Sequence, residues 1–360
     1  MLRFLTSSTV ALALAGALAA GPVAAPPEAA AAHAAELMRG AMDVVRAARD
    51  AAHAPPADES RRAAIAGLDP ARAALIGTEL TPLMTTIGSL ESKRLAADAR
   101  WASEIVRQFA SRHLREGDTV LASFSGSFPG LNLAVMAACR VLGLRLVAIS
   151  SVTASTWGAN QPGFTWPEIE AMVVAAGVMP AASAAVTLGG SRDAARDLSE
   201  EGRALARRIQ RATAEALGAT ALATTTLEEA IARRLEIYRS EMGSEMGSGV
   251  FSARPGELGP PPTRKIHPTP FLPAAYVNVG GNHASLGGAR ATFRREEGWL
   301  SPATTPGRLA APPSVTEAWL AEGVPVLNLL DVKALIRAWG LRLEACTDVP
   351  HRGAGECPRN

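Results

Sequence analysis

The sequence predicts an α/β protein built on a doubly wound, mostly parallel sheet with flanking helices, preceded by an N-terminal targeting or anchor segment and a helical stretch. Three observations carry that prediction. From Asp118 onward, short apolar runs alternate with segments of helical pattern, as in parallel strands joined by crossover helices. The first two runs, 119–123 and 144–150, flank a helical pattern over 131–142, which makes one βαβ unit under the right-handed crossover rule. Serine- and glycine-rich clusters then follow several of these runs, where such a sheet presents its strand ends to a ligand.

Taken in order, residues 1–27 read as a signal peptide or N-terminal membrane anchor. Arg3 is followed by no charge until Glu28, and 10–20 is an unbroken apolar and small run. Ala17-Leu18-Ala19 has the small-x-small character of a cleavage site, while the length of the uncharged stretch leaves an uncleaved anchor open. Residues 28–74 form an alanine-rich segment whose part over 29–66, divided by Pro55-Pro56, is expected as two amphipathic helices. The α/β domain is placed at 75–341. Within it a charged helix is expected over 91–115, a helix over 166–176, a third strand near 184–186, a helical stretch over 191–217 and a helix over 227–240. The tandem Ser-Glu-Met-Gly repeat and the proline-rich stretch behind it read as a flexible insertion at about 241–273. Strands follow at 275–279 and 324–330, then a helix over 331–339 with Asp331 as its N-cap and an irregular tail over 342–360.

Composition excludes several classes. The chain has 360 residues, 48% of them hydrophobic, which excludes a wholly disordered protein. A formal net charge of +2 falls far short of the basic stripe that phosphate backbones require, so no nucleic-acid partner is expected. The three cysteines lack the paired spacing of a zinc site, so no metal is expected. Cys139 reads as a small buried hydrophobe, and an oxidising compartment would let Cys346 and Cys357 close a short loop.

Four polar constellations could carry chemistry. In 123–130, Ser125, Gly126 and Ser127 lie between a strand and its helix, where backbone amides, hydroxyls and a helix N-terminus favour an anion; the same residues could simply cap the helix. The stretch lacks the Gly-Lys-Ser/Thr ending of a Walker loop, so no nucleotide cofactor is expected. It also has Phe128 where a nucleophile elbow needs serine. It resembles weakly the phosphosugar loop of sugar-isomerase domains. In 150–160, the hydroxyl of Ser151 and the amide of Asn160 are expected to converge on the same pocket, with Trp157 and Trp166 as walls, or with Trp157 pinning the loop to the core. In 278–288, Asn282 and Ser285 repeat the pattern, and His283 could serve as a general base or as a satisfied loop histidine; His267 and His351 have less claim.

The fourth, 78–94, carries Glu79 as a candidate catalytic carboxylate, and Lys93 and Arg94 as electrostatic support. Together with 123–130, 150–166 and 278–288 it resembles the poly-gamma-glutamate system protein family over about 75–341. The resemblance implies an accessory protein encoded with the poly-gamma-glutamate synthesis and export machinery. Its main domain would lie outside the cytoplasm, with a membrane contact through the N-terminal segment and with the polymer or the membrane-bound synthetase subunits as partners. The expected activity is binding of an anionic gamma-glutamyl ligand at the strand-edge loops. Three alternatives stay open: an amide hydrolase using Glu79, Ser125 and His283, an isomerase-like phosphosugar protein, and a non-catalytic scaffold.

Overall fold

The computed structural model describes residues 27–52, 66–243, 272–288, 296–300 and 313–343. Residues 1–26 of the expected 1–27 leader, most of the insertion, His267, His351, Cys346 and Cys357 lie outside them.

Seven strands form one sheet: β1 (Thr119–Phe124), β2 (Arg145–Ser151), β3 (Ser183–Thr187), β4 (Thr220–Ala221), β5 (Ala275–Val279), β6 (Gly298–Leu300) and β7 (Val326–Leu329). Their order is β4-β3-β2-β1-β5-β7-β6, and every pairing is parallel except β6 with β7. The central strands read as near-continuous apolar runs because helices cover both faces. Val120, Ala122 and Phe124 of β1, with Val277 and Val279 of β5, pack on one face against α1 (Pro27–Ala52), α3 (Arg100–Ser111), α4 (Pro129–Val141) and α5 (Trp166–Ala175). On the other face, Leu121, Val147, Ile149, Tyr276 and Val326 meet α7 (Leu227–Gly243) and α9 (Val315–Ala321), and Val186 meets α6 (Glu200–Leu217). The alanine-rich α1 buries Ala30, Ala34, Met38, Ala41 and Val45, a stripe at helical spacing. Asp331 caps α10 (Val332–Trp339) by accepting from Ala334 N at 3.0 Å, and Cys139 is buried as a free thiol.

Three expectations need correction. The helix expected over 91–115 is two helices, α2 (Leu90–Ala96) and α3. Between them the Asp98 carboxylate takes the Arg100 backbone N–H at 2.8 Å, a local bond that competes with continuation of the helix. Second, the helical stretch over 191–217 begins only at Glu200, where Ser199 caps it; before that lie a 3₁₀ turn, Ser191–Asp193, and a loop with Arg192, Asp193 and Ala195 at φ 56°, 60° and 49°. Asp193 is drawn into a buried ion pair with Arg234, and that tertiary contact overrides helix propensity. Third, the structure adds α9, whose Ser314 and Glu317 form a capping box, and β4 and β6, which are too short to leave a sequence pattern.

Candidate functional site

The chain winds outward from β1 to β4 and then returns to β5 on the other side of β1, so the boundary between β1 and β5 is the switch point of the sheet. Because β1, β2 and β5 pair in parallel, the loops that follow them emerge at one edge. Glycine makes their contact possible. A Cβ on Gly280, whose φ is 82°, would lie 2.9 Å from Ser125 Cβ, and one on Gly126 would lie 2.9 Å from the Thr153 carbonyl oxygen.

Two hydrogen-bonded networks occupy this edge. The first joins the β1 and β2 loops around a buried lysine. Ser125 Oγ accepts from Ser127 N at 3.1 Å, and the Ser125 carbonyl accepts from the Asn132 side chain at 2.9 Å. Ser127 Oγ accepts from Ser155 N at 3.1 Å. From α2, Lys93 Nζ reaches the Ser127 carbonyl at 2.5 Å and Ser155 Oγ at 2.8 Å, and lies 3.7 Å from the centre of the Phe128 ring. Lys93 is only 4% exposed, and burial pushes its amine down to about 7.

The second network joins the β2, β3 and β5 ends. Fully buried Arg234 of α7 grips Asp193 through Nε at 2.8 Å and Nη2 at 3.0 Å, and donates to Ser123 Oγ and Thr187 Oγ1, each at 3.0 Å. Asn282 donates to Ser151 Oγ at 3.2 Å and to Asp193 at 3.3 Å, while its Oδ1 caps the short helix α8 (His283–Leu286) by accepting from Ser285 N at 3.0 Å. His283 Nδ1 accepts the Arg192 backbone N–H at 3.2 Å, which assigns the neutral ring proton to Nε2. Burial lowers the His283 pKa, opposed by the charges of Asp197 and Asp193.

The other expected site residues divide clearly. Asn160 does not face the edge as a free amide: it clamps Thr78, accepting from its N–H at 3.1 Å and donating to its carbonyl at 2.7 Å. Trp157, at φ 63°, exchanges backbone bonds with Gly77 and Thr78, so its loop is pinned to 77–78. Ser285 turns beneath the edge to the Tyr276 hydroxyl at 2.6 Å. Trp166, expected as a wall, is fully buried and donates to Ser150 Oγ at 2.8 Å. Glu79 is exposed and, among the described residues, joins neither network. What the spacing could not reveal is that Ser155 is the hydroxyl under Lys93, and that Asp193 meets Arg234 across 41 residues.

A cleft of about 560 Å³ opens at the opposite edge, lined by Cys139, Arg140, Arg145, Ser183, Thr220 and Glu241. Size alone does not favour it. Arg145 and Glu241 already meet at 3.4 Å, and burial pushes the Cys139 thiol up and away from reactivity. The perturbed amine and the hydroxyls lie at the carboxyl edge, and that edge is the candidate site. Among the described residues, no group of three or more His, Cys, Asp or Glu could hold a metal ion, and no helix is long and apolar enough to cross a membrane.

Fold and edge together define the class: a three-layer α/β protein that gathers its polar loops at the switch point of a largely parallel sheet. Compared with known proteins, the chain matches no family model, no curated protein and no solved structure.

Proposed function

We propose that this chain is an envelope accessory protein of poly-gamma-glutamate synthesis or export, placed outside the cytoplasm by residues 1–27, that binds an anionic gamma-glutamyl chain at the carboxyl edge of its sheet. The reading of 1–27 and the family resemblance rest on sequence. One structural observation supports the ligand class: Lys93, the cation inserted between the β1 and β2 loops, meets a carbonyl and a hydroxyl there and no carboxylate. The loops 123–130, 150–160 and 278–288 contain no Asp or Glu. Of the two carboxylates that act on the 278–288 loop, Asp193 is paired with Arg234, while Asp197 acts on His283 and not on Lys93. Lys93 has no carboxylate partner among the described residues, and only burial shifts its pKa. A ligand carboxylate about 5 Å from the ammonium would gain roughly 3 kcal/mol at an effective dielectric of about 20. Serine hydroxyls and loop amides supply donors around it.

Titration calorimetry of defined gamma-glutamyl oligomers, against the same oligomers amidated at their α-carboxyls, tests this. An anion near Lys93 raises its pKa on binding, by roughly two units for 3 kcal/mol, so affinity should fall about tenfold from pH 6 to pH 8. Equal binding of acid and amide forms, or binding of neither, would refute the proposal.

A further inference from the structure

We propose that Lys93 and Ser155 form a base–nucleophile pair that cleaves amide bonds, with the gamma-glutamyl chain bound at this edge as its substrate. The substrate rests on the binding reading above; the chemistry of the pair does not.

A serine hydroxyl is a weak nucleophile until a base within hydrogen-bond reach takes its proton, and lysine serves as that base in some hydrolases when it is desolvated enough to be neutral. Lys93 meets both conditions. Its Nζ lies 2.8 Å from Ser155 Oγ, is steered by the Ser127 carbonyl at 2.5 Å, and is walled by the Phe128 ring. With the amine pushed down to about 7 by burial, a large fraction is neutral at neutral pH. The charged groups on elements packed against α2 are engaged or turned away. Glu91 pairs with Lys333 of α10, Arg94 donates to the Gly67 and Leu68 carbonyls, Asp331 caps α10, Arg337 is exposed, and Arg140 at the far end of α4 donates to the Val178 carbonyl.

Gly88 packs directly over the pair. A Cβ there would lie 3.0 Å from Ser155 Oγ and 3.2 Å from Lys93 Cε. Gly88 is not in the left-handed region, so its backbone does not require glycine; the close packing over the pair does. Thr156 holds that position, its Oγ1 accepting from Gly88 N at 2.6 Å and donating to Gly88 O at 3.0 Å.

In the first step the Ser155 proton passes to Lys93 Nζ while Oγ bonds to the amide carbonyl carbon. The C–N bond then breaks, and the new ammonium gives its proton to the leaving amine. Water attacks the acyl-serine ester in the second step; its proton passes to Lys93 and on to Ser155 Oγ as the C–O bond breaks, releasing a carboxylic acid. Ser127, which accepts the Ser155 N–H at 3.1 Å, keeps its own hydroxyl proton to donate to the oxyanion.

A lysine that merely ties two loops together would show none of this, so the test reads covalent chemistry. The full chain is treated with a fluorophosphonate from pH 6 to pH 9 and the adduct is mapped by mass spectrometry, while gamma-glutamyl oligomers are followed for chain length. The expected result is a single adduct on Ser155 that forms faster as pH rises through about 7, the value at which Lys93 loses its proton. Labelling should fall at least tenfold in Lys93→Met and in Gly88→Ala, the second serving if the first fails to fold. No adduct at Ser155, or an adduct at Ser125 or Ser127 instead, overturns the proposal. Labelled Ser155 with oligomers of unchanged length supports the pair and overturns the gamma-glutamyl chain as its substrate, while the calorimetry above decides binding separately.

Discussion

Replacing Arg234 with methionine isolates the ion pair whose two side chains are fully buried. The guanidinium makes two bonds to Asp193 and one each to Ser123 and Thr187, and both members of the ion pair have fully buried side chains. Methionine fills most of the volume, so the loss is chiefly electrostatic. Asp193 would keep Thr187 Oγ1 at 3.0 Å and Asn282 Nδ2 at 3.3 Å, neither of which carries charge. Stranding one charge of a buried pair costs about 3–5 kcal/mol, a large share of the 5–15 kcal/mol that typically holds a protein folded. Urea unfolding followed by circular dichroism should show that loss in Arg234→Met. The double variant Arg234→Met with Asp193→Asn should recover part of it, because the stranded carboxylate is gone. A single-variant loss under about 1 kcal/mol, or a double variant as unstable as the sum of the singles, would show that the pair is not the dry contact described here.

Two further outcomes follow from the site. Lys93 keeps its proton to about pH 10.5 when unfolded but only to about 7 when folded, so the unfolded chain binds more protons between these values and Lys93 adds stability as pH rises through that window, by up to about 1.4 kcal/mol per pH unit. Lys93→Met should remove this slope from the unfolding free energy between pH 7 and 10; an unchanged slope would refute the burial of an amine without a carboxylate partner. Gly280→Ala should cost about 1–3 kcal/mol, since φ 82° and a Cβ 2.9 Å from Ser125 Cβ both oppose it, and a melting temperature equal to the parent's would show that the β1 and β5 loops do not touch.

The parts of the fold that were legible in the sequence are those whose cause is local. Strands β1, β2 and β5 could be read because an apolar run bounded by turn residues is what a central parallel strand looks like on its own. Their loops were placed at one edge because parallel strands end together, and the close approach of Gly280 to Ser125 agrees with that. The loop over 191–198 was misread because the Arg and Glu spacing there satisfies a helix, while the decisive contact, Asp193 with Arg234, comes from an element 41 residues away. Asn160 looked like a ligand amide for the same reason: nothing near it in sequence discloses that Thr78 already uses both ends of its side chain.

The contrast between Lys93 and Arg234, the two buried cations among the described residues, bears on which part of the edge is structure and which is function. Arg234 has its carboxylate and an acceptor for each of its three nitrogens, as a folding contact requires. Lys93 is equally enclosed and has only a carbonyl, a hydroxyl and a ring face. Its shift from 10.5 to about 7 corresponds to about 5 kcal/mol between the two protonation states, a penalty that a leucine or methionine at the same place would avoid. Tying Ser127 to Ser155 does not account for it, because the Ser155 N–H already reaches Ser127 Oγ without the lysine. A residue that works against the stability of its own surroundings is most simply explained by what it does to something else, and here the nearest reactive atom is Ser155 Oγ.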